Sequence, residues 1–469
     1  MTTDTALFPD IDRMAAVEDL VTARLAEARS AYRQRPALPE APTQGWFDEL
    51  ADFTFEQPQD LQPLLDWSID ALETGMVHTT HPHHIGLFNP APTFPAECAE
   101  RLVNAYNPQV CFWSAAPKLV AIEEHVLRQV AQRAGLPRQT AGHFTSGGSE
   151  ANATALWCSL TAAEPRFGQD GVAAFAGPPV IYTSCESHLA WVKLAHTTGL
   201  GRNAVRLVAT DGHGRMDALA LEREIQTDLS LGHVPVLIAA TAGTTNAGMI
   251  DPLPACADLA EAYGMWCHVD AAWAGALIAS PTRREALAGM ERAHSVTIDG
   301  HKWFAMTMGA GMILVTRPEI LEQTFDIDTM YMPDDEGSTN YYRTSTQWSR
   351  RFVGLRMFLS LANAGWSGYA AHVDHAIALI DRLVDTLTDA GWHLANESPA
   401  AVACLVPPEG PESVDRYLTA ALEQGGFWIS KAKLDGVPML RFCVTNGRTQ
   451  AADIDALAQF LKSQMYEAA

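Results

Sequence analysis

Short apolar segments alternate with amphipathic stretches along the middle of the chain, from about residue 140 onward. The apolar segments are rich in Val and Ile and have the length of buried strands: VIYTS (180–184), VPVLIAAT (234–241), MWCHVDAAW (265–273), SVTID (295–299) and GMILVT (311–316). Between two of them, PACADLAEAYG (254–264) has the pattern of a helix that a glycine ends. This alternation predicts an α/β unit with a mostly parallel sheet.

Helical spacing of apolar positions occurs on both sides of this unit. Residues 11–34 predict a helix that ends before the proline-rich stretch 36–42, and residues 96–134 predict helices broken at Pro108 and Pro117. After residue 360 come a long helical pattern (372–391), short mixed elements that include PMLRFCV (438–444), and a last helix that Asp453 helps to cap. We therefore predict an N-terminal helical arm (1–75), a large α/β domain (76–360) and a small C-terminal α+β domain (361–469).

The composition of the chain limits the kinds of molecule that it is expected to bind. The chain has 55 acidic and 32 basic residues, for a formal net charge of −23. An acidic surface repels phosphate backbones and anionic lipid, so we expect neither nucleic-acid nor membrane binding. The eight cysteines are scattered without a C-x-x-C pair, which favours reduced thiols over disulfides or a zinc site. No apolar run approaches the roughly 20 residues of a membrane span, and the N-terminus lacks a signal-peptide core. We predict a cytoplasmic protein.

Ligands of parallel sheets bind beyond the carboxyl ends of the strands, so the residues that follow each apolar segment are the candidates for chemistry. The segment TSGGSEANATAL (145–156) places glycines and small hydroxyls at the start of a helix. Such a start presents free N–H groups and a favourable dipole to an anion, and Ser146 and Ser149 could add hydrogen bonds to a phosphate. A purely structural helix cap has the same composition.

Two further segments add an acid and an amine. In HVDAAWAG (268–275), Asp270 closes a strand, where it is either a turn residue or a carboxylate that reaches a ring nitrogen. In SVTIDGHKWF (295–304), Lys302 is the only one of six lysines that follows an apolar strand and precedes two aromatic residues. Partial desolvation there favours the neutral amine that a Schiff base requires, although a lysine that only snorkels past an aromatic rim is the competing interpretation.

The combination of a phosphate-type loop, Asp270 and a lysine 32 residues later is more specific than any of its parts. Together with AATAGTTNAGMIDP (239–252) and DGHKW (299–303), these segments resemble the group II pyridoxal-phosphate decarboxylases, which include aromatic-L-amino-acid, glutamate and 2,4-diaminobutyrate decarboxylases. The resemblance runs from about residue 76 to the C-terminus. It implies the aspartate-aminotransferase-like fold (fold type I), with a mostly parallel central sheet, helices on both faces, and a homodimer whose active site lies at the subunit interface.

The resemblance also assigns roles to residues around pyridoxal 5'-phosphate. It implies that Lys302 forms the Schiff base and that Asp270 pairs with the pyridine nitrogen. It further implies that Ala272 and His188 pack on the two faces of the ring and that Gly148 and Ser149 belong to the phosphate loop. Thr245 and His301 are expected to lie near the cofactor. The family often has Asn-Pro before His-Lys, whereas this chain has Asp299-Gly300, and an acidic group there is expected to weaken a phosphate contact.

The same resemblance points to residues that act on the substrate, an L-amino acid. Tyr331 aligns with a tyrosine on a mobile loop that protonates the substrate carbon after carbon dioxide leaves. Arg441, in PMLRFCVTN, resembles an arginine that holds the α-carboxylate, for which guanidinium geometry is well suited. His83, Phe88 and Trp113 are predicted to line the substrate pocket. The histidines of HTTHPHH (78–84) lack a partner carboxylate or cysteine, so we predict no metal site.

The prediction is therefore decarboxylation of an L-amino acid to its amine. Two alternatives share the same machinery: an aldehyde synthase, in which the family's tyrosine is replaced by phenylalanine, and another Schiff-base lyase or a transaminase. A pyridoxal-phosphate-binding dimer without catalytic activity is a third. Tyr331 favours simple decarboxylation over aldehyde formation, and the presence of both Tyr331 and His188 counts against the inactive dimer. The residues after His188, Leu189 and Ala190, differ from those of several relatives, so aromatic, acidic and aliphatic substrates all stay open.

Overall fold

The computed structural model describes residues 5–39, 45–327, 338–423 and 426–465. The helices in chain order are α1 (Ile11–Ala31), α2 (Trp46–Ala51), α3 (Leu61–Thr74), α4 (Phe94–Tyr106), α5 (Pro117–Arg133), α6 (Gly148–Ala163), α7 (Phe167–Asp170), α8 (Ala190–Thr197), α9 (Ala218–Ser230), α10 (Leu253–Ala262), α11 (Glu319–Phe325), α12 (Gly354–Thr388), α13 (Val414–Glu423) and α14 (Ala451–Ser463). The strands are β1 (Ala141–Thr145), β2 (Pro179–Ser184), β3 (Val205–Val208), β4 (Val234–Thr241), β5 (Trp266–Asp270), β6 (Ser295–Asp299), β7 (Gly311–Val315), β8 (His393–Leu394), β9 (Val402–Val406), β10 (Ser430–Leu434) and β11 (Val437–Cys443).

Seven strands form the central sheet in the order β1-β7-β6-β5-β4-β2-β3. Strands β6, β5, β4, β2 and β3 pair in parallel, and β7 is antiparallel to both of its neighbours. The mostly parallel sheet is confirmed, and all five predicted segments contain strands. The sequence did not reveal β1 and β3, because AGHFT and VRLV are too short and too polar to stand out. Nor did it reveal the direction of β7, which side-chain burial alone does not encode.

Both faces of the sheet are covered by helices, as predicted. Successive strand residues point to opposite faces. Leu237 and Ile313 therefore pack in the apolar cluster that contains α6, whereas Ile238 and Leu314 pack in the larger cluster on the other face. Helix α6 is buried along most of its length, and its Ala-rich sequence lets it lie close to the strands beneath it. Two-sided burial explains why these strands have continuous rather than alternating apolar sequences.

The C-terminal part contains a four-stranded antiparallel sheet, β10-β11-β9-β8. Helix α12 leads into it and is interrupted at Gly365, whose φ of 65° is accessible to glycine at little cost. Helix α14 begins with a capping box in which Gln450 N donates to Asp453 Oδ2 over 2.8 Å, which places Asp453 in the capping role expected of it. The predicted boundary at residue 360 falls inside α12, and the three-part division stays a prediction.

The first three helices contribute no buried residue. Within the ranges that the structure describes, no helix combines the length and the apolar character needed to cross a bilayer. The cytoplasmic location stays a prediction.

A buried ion pair joins the large sheet to α12. Arg350 and Glu123 are 3% and 0% exposed, and the Arg350 guanidinium donates to the Glu123 carboxylate and to the Phe144 carbonyl. The second Glu123 oxygen accepts from the N–H of Gly354, at 2.8 Å, where α12 starts. Arg350 also lies over the ring of Tyr341 at 4.0 Å. One carboxylate therefore links α5, strand β1 and the start of α12.

Removal of one partner from this pair should destabilise the fold strongly, because a buried charge is left without compensation. We expect Arg350→Met to lower the free energy of unfolding by about 3–5 kcal/mol. Arg351 forms an exposed pair with Glu100, and Arg351→Met should cost no more than about 1 kcal/mol. Urea denaturation followed by circular dichroism compares the two variants. Equal midpoints for Arg350→Met and the wild type would contradict this account.

Candidate active site

A cavity of about 300 Å³ opens at the carboxyl edge of the large sheet. Its lining includes every residue predicted to contact the cofactor: Gly148, Ser149, His188, Thr245, Asp270, Ala272, His301 and Lys302. These residues follow the ends of β1, β2, β4, β5 and β6, which all point to this edge. The sheet thus brings together side chains that are more than 150 positions apart along the chain.

One end of the cavity is formed by the turn between β1 and α6. Gly147 and Gly148 begin the helix, and no acceptor in the described part of the chain takes the N–H groups of Gly148 and Ser149. Glu150 caps the turn from within, since its carboxylate accepts from Ser146 N at 2.7 Å and from Gln347 at 2.6 Å. Free amide hydrogens at the start of a 16-residue helix suit a phosphate group.

This turn is packed so closely that it excludes side chains. A Cβ on Gly148 would lie 3.0 Å from Asp299 Oδ2 and 3.4 Å from the Ala272 Cβ. A Cβ on Gly311, at the start of β7, would lie 2.7 Å from the backbone carbon of Gly147 and 2.6 Å from Thr145 Oγ1. Gly311 is therefore needed so that the turn can approach the end of β7, and a side chain at position 148 would force Asp299 to shift at the end of β6.

The Asp270 carboxylate lies at the end of β5, 6% exposed. Oδ1 accepts the N–H of Ala272 at 3.1 Å, and Oδ2 accepts from Asn152 Nδ2 at 2.7 Å. The first contact closes an Asx-type turn, and the second comes from α6, which crosses the sheet above. The two hydrogen bonds fix the direction of the carboxylate while leaving lone pairs that can face a ligand in the cavity.

Lys302 lies beside an acidic neighbour. Its Nζ is 3.1 Å from Asp299 Oδ2, and the Lys302 side chain is 23% exposed whereas that of Asp299 is 2% exposed. Burial raises the pKa of the Asp299 carboxyl, an effect that the charges of Lys302 and His301 partly offset. The other Asp299 oxygen is buried and accepts no hydrogen bond from the described residues. Burial also lowers the pKa of His301, whose Nδ1 contacts the carbonyl of Ala310 at 2.8 Å.

The remaining predicted cofactor residues form the sides of the cavity. His188 is exposed towards it and accepts the N–H of Ala190 on Nδ1 at 3.1 Å, which places the proton of the neutral ring on Nε2. Ala272 follows Asp270 directly in the turn after β5 and has no bulk to block a flat ring. Thr245 is half-buried, and its carbonyl accepts from Arg441 at 2.7 Å.

The predicted substrate residues do not line this cavity. Arg441 is buried, with contacts to Ser430 Oγ (3.0 Å), Thr245 O and Gly86 O (2.9 Å), and it lies over the ring of Phe88 at 5.5 Å. Phe88 itself is stacked on Trp273. The Arg441 guanidinium thus holds backbone carbonyls behind the cavity wall. The substrate role of both residues stays a prediction.

His83 and Trp113 contact residues that do not line the cavity. The His83 ring contacts Gly426 O at 2.6 Å and Asp453 Oδ1 at 3.2 Å, and it is stacked on Phe427. Trp113 begins a short 3-10 helix and donates its N–H to Asn340. Their substrate role also stays a prediction. Tyr331 lies outside the described residues.

Sequence reasoning missed several residues that shape the site. Asn152, inside TSGGSEAN, holds Asp270, and its position one turn into α6 was the available signal. Gly311 opens the last apolar segment, where a glycine next to a strand often marks a close approach. Asp299 was noted as a departure from the family, but its contact with Lys302 follows from their i, i+3 spacing only once the turn after β6 is known.

The cavity fits pyridoxal phosphate by the chemistry of its groups. It has a glycine cradle with free amide hydrogens at one end, an oriented carboxylate, a primary amine, and an imidazole and an alanine along the sides. These match a phosphate, a pyridine nitrogen, an aldehyde and the ring, respectively. Among the described residues no cluster of three or more His, Cys, Asp or Glu side chains is placed to bind a metal ion.

Comparison with known proteins identifies related chains. A family model described as "Pyridoxal-dependent decarboxylase conserved domain" matches residues 47–404. An L-2,4-diaminobutyrate decarboxylase of Rhizobium meliloti (strain 1021) is 35% identical over 305 residues, which cover 64% of this chain and 59% of that protein. An aromatic-L-amino-acid decarboxylase of Bacillus atrophaeus is 27% identical over 430 residues, or 89% of this chain and 88% of that protein. The match therefore spans less than two thirds of the Rhizobium enzyme but most of the Bacillus one.

The fold is also shared with solved structures. The crystal structure of Rhodiola rosea 4-hydroxyphenylacetaldehyde synthase superposes with a TM-score of 0.88, covering 97% of this chain and 99% of that chain, at 20% identity. At that identity the similarity establishes the fold alone. The predicted fold class is confirmed.

The close approach at Gly311 gives a test of the cradle. Gly311→Ala should push the turn at Gly147 outward, and overpacking of this kind costs about 1–3 kcal/mol. Because the Cβ would lie 2.7 Å from the backbone of Gly147, the turn is displaced and the dissociation constant for pyridoxal phosphate should rise roughly tenfold or more, since each 1.4 kcal/mol is about tenfold in affinity. Titration of the apoprotein, followed by absorbance, measures it. Gly168→Ala is the control, since a Cβ there meets nothing within 4 Å. Unchanged affinity in Gly311→Ala would contradict the binding of the phosphate at this turn.

Proposed function

Because the chain belongs to the pyridoxal-dependent decarboxylase family, we propose that it releases the α-carboxylate of an L-amino acid as carbon dioxide and yields the corresponding amine. One observation supports this most: a glycine turn, a carboxylate, a lysine and a histidine from four strand ends line a single cavity. The roles of individual residues below are part of the proposal.

When bound in this cavity, pyridoxal phosphate would supply an electron sink for the pair of electrons left by the broken Cα–carboxylate bond. The amide hydrogens of Gly148 and Ser149 would hold the phosphate. Asp270 would accept a hydrogen bond from the protonated ring nitrogen, and the His188 and Ala272 side chains would restrict the ring from its two faces. Lys302 would hold the cofactor through its amine.

Asp299 has a role in preparing Lys302. A lysine must be neutral to react with a carbonyl carbon, so its ammonium proton needs an acceptor. Asp299 Oδ2 is 3.1 Å from Nζ, and burial raises the pKa of this carboxyl, which favours uptake of a proton. We propose that the proton moves from Nζ to Asp299 Oδ2. An aspartate at this position then has a function that the asparagine common in the family does not offer.

Orientation determines which bond of the substrate breaks, since only a bond perpendicular to the ring plane can pass its electrons into the ring. The chain contributes that orientation and excludes water, which strengthens the electrostatic contacts. After carbon dioxide leaves, Tyr331 would donate a proton to the substrate Cα. Arg441 is the proposed partner of the substrate carboxylate, and a rearrangement of its carbonyl contacts is then required.

The relatives do not agree on a substrate. One is named for L-2,4-diaminobutyrate and another for aromatic L-amino acids. An aldehyde synthase has the same fold, so the fold does not distinguish the two reaction types. A tyrosine at position 331 favours decarboxylation over aldehyde formation. A transaminase, a different Schiff-base lyase and an inactive cofactor-binding dimer would each be compatible with the same cavity.

We also propose a homodimer with the active site at the interface. Large apolar side chains are exposed throughout the N-terminal segment, among them Phe8 (78%), Phe47 (88%) and Phe55 (91%). A second copy of the chain that packed against this segment would remove these side chains from water.

The proposed reaction is tested with a panel of L-amino acids: aromatic, acidic, basic and aliphatic. The protein loaded with pyridoxal phosphate should release carbon dioxide and an equimolar amine from at least one of them, without forming peroxide. Carbon dioxide is measured with 1-¹³C-labelled substrates by mass spectrometry, and the amine by chromatography. Peroxide and an aldehyde in place of the amine would instead establish an aldehyde synthase.

Lys302→Ala is the matched variant for this assay. Loss of the amine that holds the cofactor should lower turnover by at least roughly 10³-fold, the scale seen when a residue essential to covalent catalysis is removed. Borohydride reduction of the wild type should attach the cofactor to the peptide that contains Lys302. Lys431→Ala, at an exposed lysine paired with Asp415, should change neither result. Turnover of no amino acid by the loaded wild type, or attachment of the cofactor elsewhere, would overturn the proposal.

A further inference from the structure

His268 is a buried histidine that the proposed mechanism does not use. It lies on β5, two residues before Asp270, so both side chains project from the same face of the strand. The ring is 0% exposed, does not line the cavity, and meets the Trp191 indole edge-on at 5.5 Å. A fully buried imidazole next to the site is costly unless its nitrogens are paired. Both of them are.

The His268 ring belongs to a continuous chain of four hydrogen bonds. Trp266 Nε1 contacts Ser295 Oγ at 2.8 Å, and Ser295 Oγ contacts His268 Nδ1 at 2.8 Å. His268 Nε2 contacts Asn152 Oδ1 at 3.1 Å, and Asn152 Nδ2 contacts Asp270 Oδ2 at 2.7 Å. Thr297 Oγ1 lies 3.4 Å from the same His268 nitrogen and is the only other polar side chain on the ring among the described residues.

The direction of every bond in this chain is fixed from its two ends. An indole N–H can only donate and a carboxylate can only accept. Asp270 accepts from Asn152 Nδ2, so Asn152 presents its oxygen to His268 Nε2, and that nitrogen must donate. The single proton of the neutral ring is then on Nε2, and Nδ1 accepts from Ser295 Oγ, which itself accepts from Trp266. Burial lowers the pKa of His268 to about 4, so the ring is neutral at physiological pH.

A consequence follows for the Asn152 amide. Its oxygen and nitrogen could in principle exchange places by rotation about the last side-chain bond. Rotation would set the Asn152 oxygen against the Asp270 carboxylate and its nitrogen against the His268 N–H, so two favourable contacts would become two repulsive ones. The His268 N–H thus holds the Asn152 amide, from the end opposite Asp270, in the orientation that presents Nδ2 to the carboxylate.

We propose that His268 is a positioning residue that, through Asn152, holds the Asp270 carboxylate in the orientation that pairs with the ring nitrogen of the cofactor. The histidine does not touch the cavity and has no part in proton transfer to the substrate. Its effect passes through the Asn152 amide to Asp270 and concerns only the contact of Asp270 with the ring nitrogen of the cofactor. This inference rests on the proposed role of Asp270.

The test compares two ligands that differ in that atom. Pyridoxal phosphate has the ring nitrogen, and 1-deazapyridoxal phosphate has a carbon in its place. The affinity of the apoprotein for each ligand is measured by absorbance and fluorescence titration. The affinity for pyridoxal phosphate divided by that for the deaza compound, called the ratio below, isolates the contact with the nitrogen. We expect His268→Phe to weaken pyridoxal phosphate binding by roughly tenfold or more, on the scale of a hydrogen bond to a charged group, with little change for the deaza compound.

Three further variants make the result specific. His268→Gln keeps a donor that can reach Asn152 and should restore part of the ratio. Ser295→Ala removes one hydroxyl from the same chain of hydrogen bonds and should lower the ratio, as His268→Phe does. It replaces His268→Phe in the test if that variant does not fold. His143→Phe is the matched control, because His143 is also fully buried on a strand of this sheet but contacts no hydrogen-bond partner among the described residues. It should leave the ratio unchanged.

Two outcomes would overturn the inference. Equal losses of affinity for both ligands in His268→Phe and in Ser295→Ala would show a merely structural role, and unchanged affinity for both ligands in both variants would show no role. Failure of the proposed role of Asp270 appears differently: the wild type would then bind the two ligands equally well, before any substitution is made.

Discussion

The site depends above all on how one carboxylate is held. Asp270 ends a buried strand and receives two hydrogen bonds, from the N–H of Ala272 and from the amide of Asn152. An ionised carboxylate that has left water is stable only when such donors replace its hydration. The donors come from a turn and from a helix that crosses the sheet. The direction of the carboxylate is consequently fixed by the fold and not by the ligand.

The rest of the site follows from the same geometry. Because α6 must reach Asp270 with Asn152, its first turn has to pass close over the ends of β6 and β7, and glycines at 148 and 311 permit that approach. The free amide hydrogens of the turn then lie on the same side of the cavity as the end of β6, where Asp299 and Lys302 are paired. One packing arrangement therefore produces the anion-binding turn, the Lys302 amine and the oriented Asp270 carboxylate. In it, the start of α6 lies over the polar residues at the ends of the strands.

The residues predicted to contact the cofactor line one cavity, whereas those predicted to contact the substrate do not line it. Lys302, Asp270 and His188 follow strands that could be recognised by their apolar runs, and the carboxyl ends of parallel strands meet at one edge. Arg441, His83 and Trp113 lie on elements whose position depends on tertiary packing, and their local sequence gives no period or strand end that would locate them. Arg441 shows the difficulty: an arginine suited to a carboxylate is equally suited to the backbone carbonyls it contacts. Polar contacts between distant segments, such as Asn152 with Asp270, are likewise not encoded in any local pattern.

We propose that Asp270 presents its carboxylate to a protonated ring nitrogen of pyridoxal phosphate. The most direct measurement is the ¹⁵N NMR spectrum of the protein loaded with cofactor labelled at that nitrogen. At neutral pH the resonance should have the chemical shift of a pyridinium, with coupling to a bound proton. A shift typical of an unprotonated pyridine in the wild-type protein would contradict the account.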